Sequence, residues 1–549
     1  MTSFAPSRDG ARLSWVMGVC LALIVAVFAM SLEEEPYNID ELRQTRSYEA
    51  PLEFVVDSAY AQDQPPLDPV LNSLLQRVIG QGDWQQRLLS SVFGVAGIAV
   101  FALLLRRRGV IVGTPIAVLL LGLSPLIVSV FVYARPYALP FLLTSVFLYL
   151  TDRWLTDASR AAAVGLIVVA LLLPMSRTLE PNMVLGLTAL TLSALAVTGR
   201  ALRFQGSIWL PVGASLLGMT AVGLPVILRL RNDLIVYTDG GLLPSLEQVQ
   251  RLATDLPVAL AAVIPGWPVA LVLAGWALSR AGVRRWIAAT WWSWVWLLVP
   301  VCFILLFLLT TNPDQPLFGR YLFTWVPVLA LLAAVIVDDT VESGQVVAIL
   351  SIGATAVLIS WSAVSLVGQY RTNQGGDWEA LSESIIATTD PSTLVLLETP
   401  VPVGNYRTPF AGRPRYLPAD WAAPRVVDLV GNPDLVGDHQ AIVFAWSNLR
   451  VDLPGWDRTD VDAFFSIYAP EDPGGGKEYA AEAILSFAGL LDADPGATLT
   501  LAAAALYQDL GQDSAACDHL AKLAEPADLA ARALELMQTM NSPLLGLEC

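Results

Sequence analysis

Long apolar runs separated by short polar turns fill the first two thirds of the chain, and the alternation stops near residue 367. Runs long enough to cross about 30 Å of hydrocarbon fall near 13–31, 88–105, 110–131, 136–151, 161–179, 183–198, 207–228, 257–279, 288–310, 321–338 and 345–367. The pattern predicts about eleven transmembrane helices. Pro115, Pro125, Pro136 and Pro140 interrupt the stretch 110–151, which is the hardest to divide. Beyond 367, "TLVLLE" (393–398) and "AIVFAWS" (441–447) stand between Pro/Gly-rich turns and read as strands of a small α/β unit. From about 474 the pattern is helical and alanine-rich. "LAAAALYQDLGQDSAACDHLAKLAE" (501–525) has the form of one tetratricopeptide-type helix pair with a glycine at its turn. A single repeat buries too little by itself, so it reads as a cap, a partner-binding element or a plain helical appendage.

The expected fold class is therefore a polytopic α-helical membrane protein with a C-terminal α/β plus helical-repeat-like tail. Its parts are a transmembrane domain over 1–367 with a large loop at 32–87, an α/β domain over 368–472, and a helical tail over 473–549. Arginine placement orients it. Arg8 and Arg12, Arg106 to Arg108, Arg153 and Arg160, Arg200 and Arg203, and Arg280, Arg284 and Arg285 all fall on one side of an eleven-span path. That side is read as cytoplasmic, which puts the N-terminus inside and the tail outside, in the periplasm of a bacterial inner membrane. The acidic turn "DDTVESG" (338–344) falls on the arginine-rich side, against the trend. The first span is followed by "SLEEEPYNIDE" with no small-x-small cleavage site, so it is read as a retained span.

Composition sharpens this picture. The 549 residues are 55% hydrophobic and 15% charged, far from a soluble domain. The net charge of −17 is concentrated in the tail, which holds ten basic and 26 acidic residues from Gly368 onward. So acidic a tail argues against nucleic acid as a partner. Cys20 and Cys302 lie in apolar spans and read as inert; Cys517 and Cys549 could pair if the tail is extracytoplasmic. His439 and His519 are the only histidines and both lie in the tail, so the membrane part has no histidine metal site.

Polar residues recur at the predicted outer ends of the spans. Asp40-Glu41 follow the first span, and "DQPPLDP" (63–69) lies in the same loop. "VYARPYALP" (132–140) carries Arg135 and Tyr137. "SRTLEPN" (176–182) pairs Arg177 with Glu180. "PLFGRYLFTWVP" (316–327) carries Arg320. Arginine beside hydrocarbon costs several kcal/mol unless it is paired, so five such clusters on one leaflet point to a site. "WWSWVW" (291–296) lies inside an apolar run without an acid and reads as packing. "DPGGGKEY" (472–479) lacks the spacing of a phosphate loop and reads as a linker.

"NIDELR", "QDQPPLDPVL", "YARPYALPFLLTSVFLYL", "RYLFTWVPVLALLAA" and "GGDWEALSESI" occur in this order along about residues 10–390. Together they resemble the GT-C class of membrane glycosyltransferases, in the branch of the protein O-mannosyltransferases and the lipid A aminoarabinose transferases. The resemblance implies a sugar donor carried on polyprenyl phosphate and an outer-face acceptor that is a lipid, glycan or protein. It implies Asp40 as the catalytic base with Glu41 beside it. Arg135, Arg320 and Arg177 become candidates for the donor phosphate, and Asp63, Gln64, Tyr137 and Glu180 for substrate contacts. No cofactor and no essential metal are expected. Relatives carry histidine or lysine where this chain has Gln64, which removes a cation from the donor side. Two other readings stand beside this one: a non-catalytic membrane scaffold that holds a protein partner through its tail, and a transporter of lipid-linked sugars. The intact Asp40-Glu41 pair disfavours the first. Charges at span ends rather than mid-membrane, without visible pseudo-symmetry, disfavour the second.

Overall fold

A computed structural model of the chain describes residues 8–34, 48, 51–61, 64–80, 83–199, 204–228, 256–257, 260, 264, 266–310, 322–372, 378–397, 426–437, 441–447, 455–461, 465–471, 476–489, 493–523, 530, 533–534, 536–538 and 542–547. The chain divides into two compact units. One is Met1–Glu35 with Asp40–Arg371, the other Pro36–Ile39 with Thr372–Cys549.

The first unit is helical. Its elements are α1 (Arg8–Glu34), α2 (Leu52–Ala61), α3 (Leu67–Ile79), α4 (Asp83–Arg107), α5 (Gly113–Gly122), α6 (Pro125–Val132), α7 (Ala138–Asp157), α8 (Arg160–Ser176), α9 (Leu179–Val197), α10 (Trp209–Leu217), α11 (Trp267–Ser279), α12 (Ala281–Ala289), α13 (Trp291–Thr310), α14 (Trp325–Ser343) and α15 (Gln345–Thr372). Among the described residues five helices are long and apolar enough to cross a membrane: Trp15–Leu32, Trp84–Arg107, Leu179–Val197, Trp209–Leu228 and Val346–Val367. The count rises to seven if α5 with α6, bent by 61°, and α12 with α13, bent by 98°, are each one span. Arg160–Ser176 and Trp267–Ser279 are shorter apolar helices. Val164, Val197, Val272 and Val346 stand exposed on these helices, as a hydrocarbon solvent allows.

The prolines that obscured 110–151 mark real boundaries. Pro125 opens α6, where its missing N–H has no intrahelical acceptor to lose. Pro115 and Pro140 sit in the first turns of α5 and α7 for the same reason. α5 crosses α14 closely: a Cβ on Gly113 would lie 2.0 Å from the carbonyl oxygen of Ala334. Deeper in the bundle, Trp296 meets Phe101 edge-on at 5.5 Å and Phe141 at 5.8 Å, so the tryptophan run does pack on neighbouring helices.

The arginine turns gather at one end of this unit. Asp152, fully buried, accepts from Arg107 Nε at 3.1 Å and is also paired with Arg108. Arg107 reaches Asp157 at 2.6 Å as well. Trp286 Nε1 donates to the Arg108 carbonyl at 3.1 Å. The acidic turn that ran against the charge trend belongs to this same end. Asp338 accepts the backbone N–H groups of Ile111, Val112 and Gly113 at 3.1, 3.1 and 2.7 Å, and Asp339 accepts from Arg280 Nε at 2.9 Å. These carboxylates satisfy a helix N-terminus and an arginine where the bundle places them.

The second unit has α16 (Trp378–Thr388), β1 (Thr393–Leu397), α17 (Val426–Gly431), β2 (Ala441–Ser447), β3 (Trp456–Asp460), β4 (Phe465–Pro470), α18 (Gly476–Ala488), α19 (Ala493–Asp509) and α20 (Asp513–Lys522). The sheet runs β1-β2-β4-β3, with β1 parallel to β2 and the other pairs antiparallel. Side chains alternate across it. Val395, Val443 and Ile467 share one cluster with Leu381 and Ile385 of α16. Leu394, Leu396, Ile442, Phe444 and Tyr468 share another with α17, α18 and α19. The alanine-rich helices thus bury their small-residue faces in the core of the sheet; Phe444 stacks on Phe487 at 4.2 Å. Gly511, at φ +73°, turns α19 into α20. Lys477 is tied to Asp434 at 2.7 Å and to Asp509. Cys517 is disulfide-bonded, whereas Cys20 and Cys302 are free thiols. His439 and Cys549 lie outside the described residues.

Candidate functional site

α8 starts at the arginine-bearing end and stops at Arg177, so Arg177 lies about 25 Å away at the other end of the bundle. The C-terminal residue of α8 is Ser176. Arg177 leaves the helix in an extended conformation, and α9 opens two residues later. This corner sets the guanidinium of Arg177 over the ring of Tyr137, 4.2 Å from its centroid, and 5.5 Å from that of Phe323. Tyr137 and Phe323 meet edge-on at 5.7 Å. Arg177 Nε lies 3.2 Å from Oε2 of Glu180, one turn on. Neither Glu180 oxygen makes an aligned hydrogen bond among the described residues, so the contact is one of charge. The Nη1 of Arg177 is buried and likewise makes no hydrogen bond among the described residues. An aromatic floor and one carboxylate therefore hold a planar cation in place and leave one of its donor groups unused among the described residues.

Tyr137 is positioned by the turn around Pro136. Arg135 N donates to the Tyr133 carbonyl at 2.7 Å and Tyr137 N to the Arg135 carbonyl at 2.8 Å, two tight consecutive bends. Arg135 itself is half-buried. From the loop between α1 and α4, Tyr48 is fully buried and its hydroxyl approaches the carbonyl of Ala134 at 3.5 Å. Gln64, ahead of α3, is also buried, and its backbone N–H donates to Ala59 at 2.9 Å.

An apolar cleft lies among α5, α11, α14 and α15. Leu120, Ser124, Ile264, Leu273, Ala274, Val326, Leu329, Ala330, Leu358 and Ser362 are among its walls. Val326 N donates to the carbonyl of Phe323. One turn of chain thus carries an aromatic that touches the cation and a valine that lines the cleft. The break between α5 and α6 supplies Ser124 to the opposite wall.

Of the residues singled out in the sequence, Arg177, Glu180 and Tyr137 come together, Arg135 lies two residues before Tyr137, and Gln64 is buried ahead of α3. Asp40, Glu41, Asp63 and Arg320 lie outside the described residues. Four further residues of this region went unnoticed: Tyr48, Asn72, Gln76 and Arg87. Arg87 is fully buried and its Nη1 donates to the carbonyl of Leu32 in the last turn of α1 at 3.4 Å. Its position, four residues after the polar start of an apolar helix, is the signal that could have found it.

No protein-family model matches the chain. No curated protein matches it. Solved structures that overlap it include ArnT from Cupriavidus metallidurans bound to undecaprenyl phosphate, at 14% identity and a TM-score of 0.49 over 83% of this chain and 98% of that one. The apo form of the same protein overlaps with 14% identity and a TM-score of 0.47 over 84% and 98% of the two chains. The arabinofuranosyltransferase AftD from Mycobacteria overlaps with 14% identity and a TM-score of 0.41 over 83% of this chain and 40% of that one.

Proposed function

We propose that the chain is an inverting glycosyltransferase of the GT-C type, which moves a monosaccharide from polyprenyl phosphate to an envelope lipid, glycan or protein on the periplasmic face of the membrane. The observation that carries this reading is the turn that joins a fixed cation to an apolar cleft: Arg177 lies 5.5 Å from the Phe323 ring, and Val326, three residues on, lines the cleft. An amphiphile with a phosphate head and a prenyl tail needs a cation at the rim and an apolar wall below it, and Phe323 and Val326 join the two within one turn. Guanidinium suits this head because its fork matches two phosphate oxygens.

The chemistry follows from the motifs. The acceptor hydroxyl or amine loses its proton to the Asp40 carboxylate while it attacks the anomeric carbon. The bond from that carbon to the phosphate oxygen breaks, and polyprenyl phosphate leaves with the electron pair. Direct displacement inverts the anomeric centre. The charge that grows on the leaving phosphate is stabilised by Arg177, with Arg135 and Arg320 as further partners. Glu41, Asp63, Gln64, Tyr137 and Glu180 contact or position the substrates. The arginine-rich end faces the cytoplasm and the Arg177 end the periplasm of a bacterial inner membrane. The disulfide at Cys517 supports an oxidising location for the second unit.

The cleft gives a direct test. Ala274 is half-buried on its wall, and Ala274→Phe fills it. Binding of undecaprenyl phosphate to the purified full chain is expected to weaken at least tenfold in this variant, while binding of a soluble isoprenyl phosphate of five carbons changes less than threefold. Equal affinity of both variants for undecaprenyl phosphate would remove the cleft from the account.

A further inference from the structure

α3 is inside out. Leu74 and Val78 are 44% and 82% exposed, while Asp68, Asn72, Ser73 and Gln76 are buried. With Gln64 just ahead of the helix, amide or carboxyl side chains stand at 64, 68, 72 and 76. Within the helix a spacing of four keeps 68, 72 and 76 on one stripe. All four are buried, and burial of such groups is unfavourable unless hydrogen bonds replace water.

Only part of the stripe is satisfied from within. Asn72 Nδ2 donates to the Asp68 carbonyl at 3.1 Å and to its Oδ2 at 3.2 Å. Ser73 Oγ donates to the Tyr48 carbonyl at 2.7 Å. Asn72 Oδ1 and both amide atoms of Gln76 have no hydrogen-bond partner among the described residues, although Gln76 is only 3% exposed. Among the described residues, one uncharged donor group and two acceptors are thus unused. The stripe is also tied to the cation. Tyr48 links Ser73 to Ala134, three residues before the Tyr137 on which Arg177 rests, and α3 packs on α8, the helix that ends at Arg177.

We propose that Asn72 and Gln76 are specificity-determining residues that bind the hydroxyl groups of a neutral sugar ring on the lipid-borne donor. This rests on the donor reading above. A hydroxyl both donates and accepts, and a carboxamide meets it with both of its atoms. A site built to hydrogen-bond hydroxyls discriminates strongly against a ligand that lacks them, because its own buried groups are then left unpaired. Asn72 and Gln76 carry no charge, position 64 holds glutamine rather than a cation, and the one charged group of the stripe is the Asp68 carboxylate, so the stripe favours a neutral sugar over an acidic one.

The test uses the purified full chain in lipid nanodiscs, titrated with undecaprenyl phosphate and with the same lipid carrying mannose or arabinose. The sugar is expected to raise affinity at least tenfold over the bare lipid phosphate for one of the two sugars. Gln76→Leu and Asn72→Leu each abolish most of that margin while the affinity for bare undecaprenyl phosphate stays within threefold. Gln76→Leu also leaves the thermal midpoint unchanged or raised, because it removes a buried amide that makes no hydrogen bond among the described residues. A margin that survives in both variants overturns the proposal, as does a wild-type chain that gains nothing from either sugar. A lowered midpoint with equal losses for bare and sugar-bearing lipid assigns the stripe to structure and overturns it too. Failure of the wild-type chain to bind undecaprenyl phosphate at all instead contradicts the donor reading on which the proposal rests.

Discussion

The guanidinium of Arg177 lies 4.2 Å above the ring of Tyr137, at the corner where one helix ends and the next begins. This contact fixes a cation whose Nη1 is buried and makes no hydrogen bond among the described residues. Arg177→Ala is expected to weaken binding of undecaprenyl phosphate by about 1.5–3 kcal/mol, roughly ten- to a hundredfold, the usual worth of a hydrogen bond to a charged group. Tyr137→Leu keeps the charge and loses the aromatic floor, so its loss is smaller, about 0.5–2 kcal/mol. Lipid titration of the purified variants checks the order. A larger effect at Tyr137 than at Arg177 would show that the ring, not the cation, binds the head group.

At the other end, Asp338 accepts three consecutive backbone N–H groups at the start of α5. Asp338→Ala leaves them without this acceptor and is expected to destabilise the chain by about 1–3 kcal/mol. Asp338→Asn retains one acceptor oxygen and falls between. Thermal unfolding in detergent reads both. Unchanged midpoints would mean that other groups or water replace the carboxylate.

Two glycines separate close packing from helix propensity. A methyl group at Gly113 would lie 2.0 Å from the Ala334 carbonyl, a backbone atom that cannot swing aside, while one at Gly275 has no atom within 4 Å. Gly113→Ala should force α5 and α14 apart and lower stability by about 1–3 kcal/mol. Gly275→Ala, inside α11, should raise it by about 0.5–1 kcal/mol. The two shifts in midpoint must have opposite signs.

How much of this was readable in sequence depends on whether the signal was local. "SRTLEPN" exposed the Arg177–Glu180 pair because both residues lie in one turn, and the two strands at 393–397 and 441–447 follow from their apolar runs. The partner of Asp338 was not readable, since the N–H groups that it accepts lie some 226 residues earlier in the chain. A rule of charge counting alone therefore marked the turn as out of place. The α3 stripe was overlooked for another reason. Polar residues in a loop read as solvated, and only their spacing of four, with leucine and valine between them, marks a helix turned polar side in. The breaks between α5 and α6 and between α12 and α13 shorten apolar runs that composition joins.

His519 offers a test in the second unit. It stacks on Tyr507 with ring centroids 5.4 Å apart. Burial, aided by the nearby Lys522 ammonium, pushes its pKa below the ordinary histidine value. The neutral form is thus the one that the fold favours. The unfolded chain binds the proton more readily, so this contribution is fully present above the ordinary histidine pKa of about 6.5 and fades as pH falls below it. His519→Phe keeps the stack and removes the titration. Hydrogen exchange of α20 in the full chain should accelerate between pH 7 and 5.5 by a larger factor in the native protein than in the variant, after correction for intrinsic exchange. An identical pH response would exclude His519 as its source.

The central claim is that the chain transfers sugar from polyprenyl phosphate with Asp40 as the base. The most direct measurement follows labelled sugar from a mixture of polyprenyl-phosphate sugars into envelope lipids, glycans and proteins. Membranes that hold equal amounts of the native chain or of Asp40→Asn are compared. The account predicts transfer by the native chain and its loss by at least a hundredfold in the variant. Equal transfer by both would contradict the role of Asp40, and no transfer by the native chain, with donor bound and all three acceptor classes supplied, would contradict the enzyme itself.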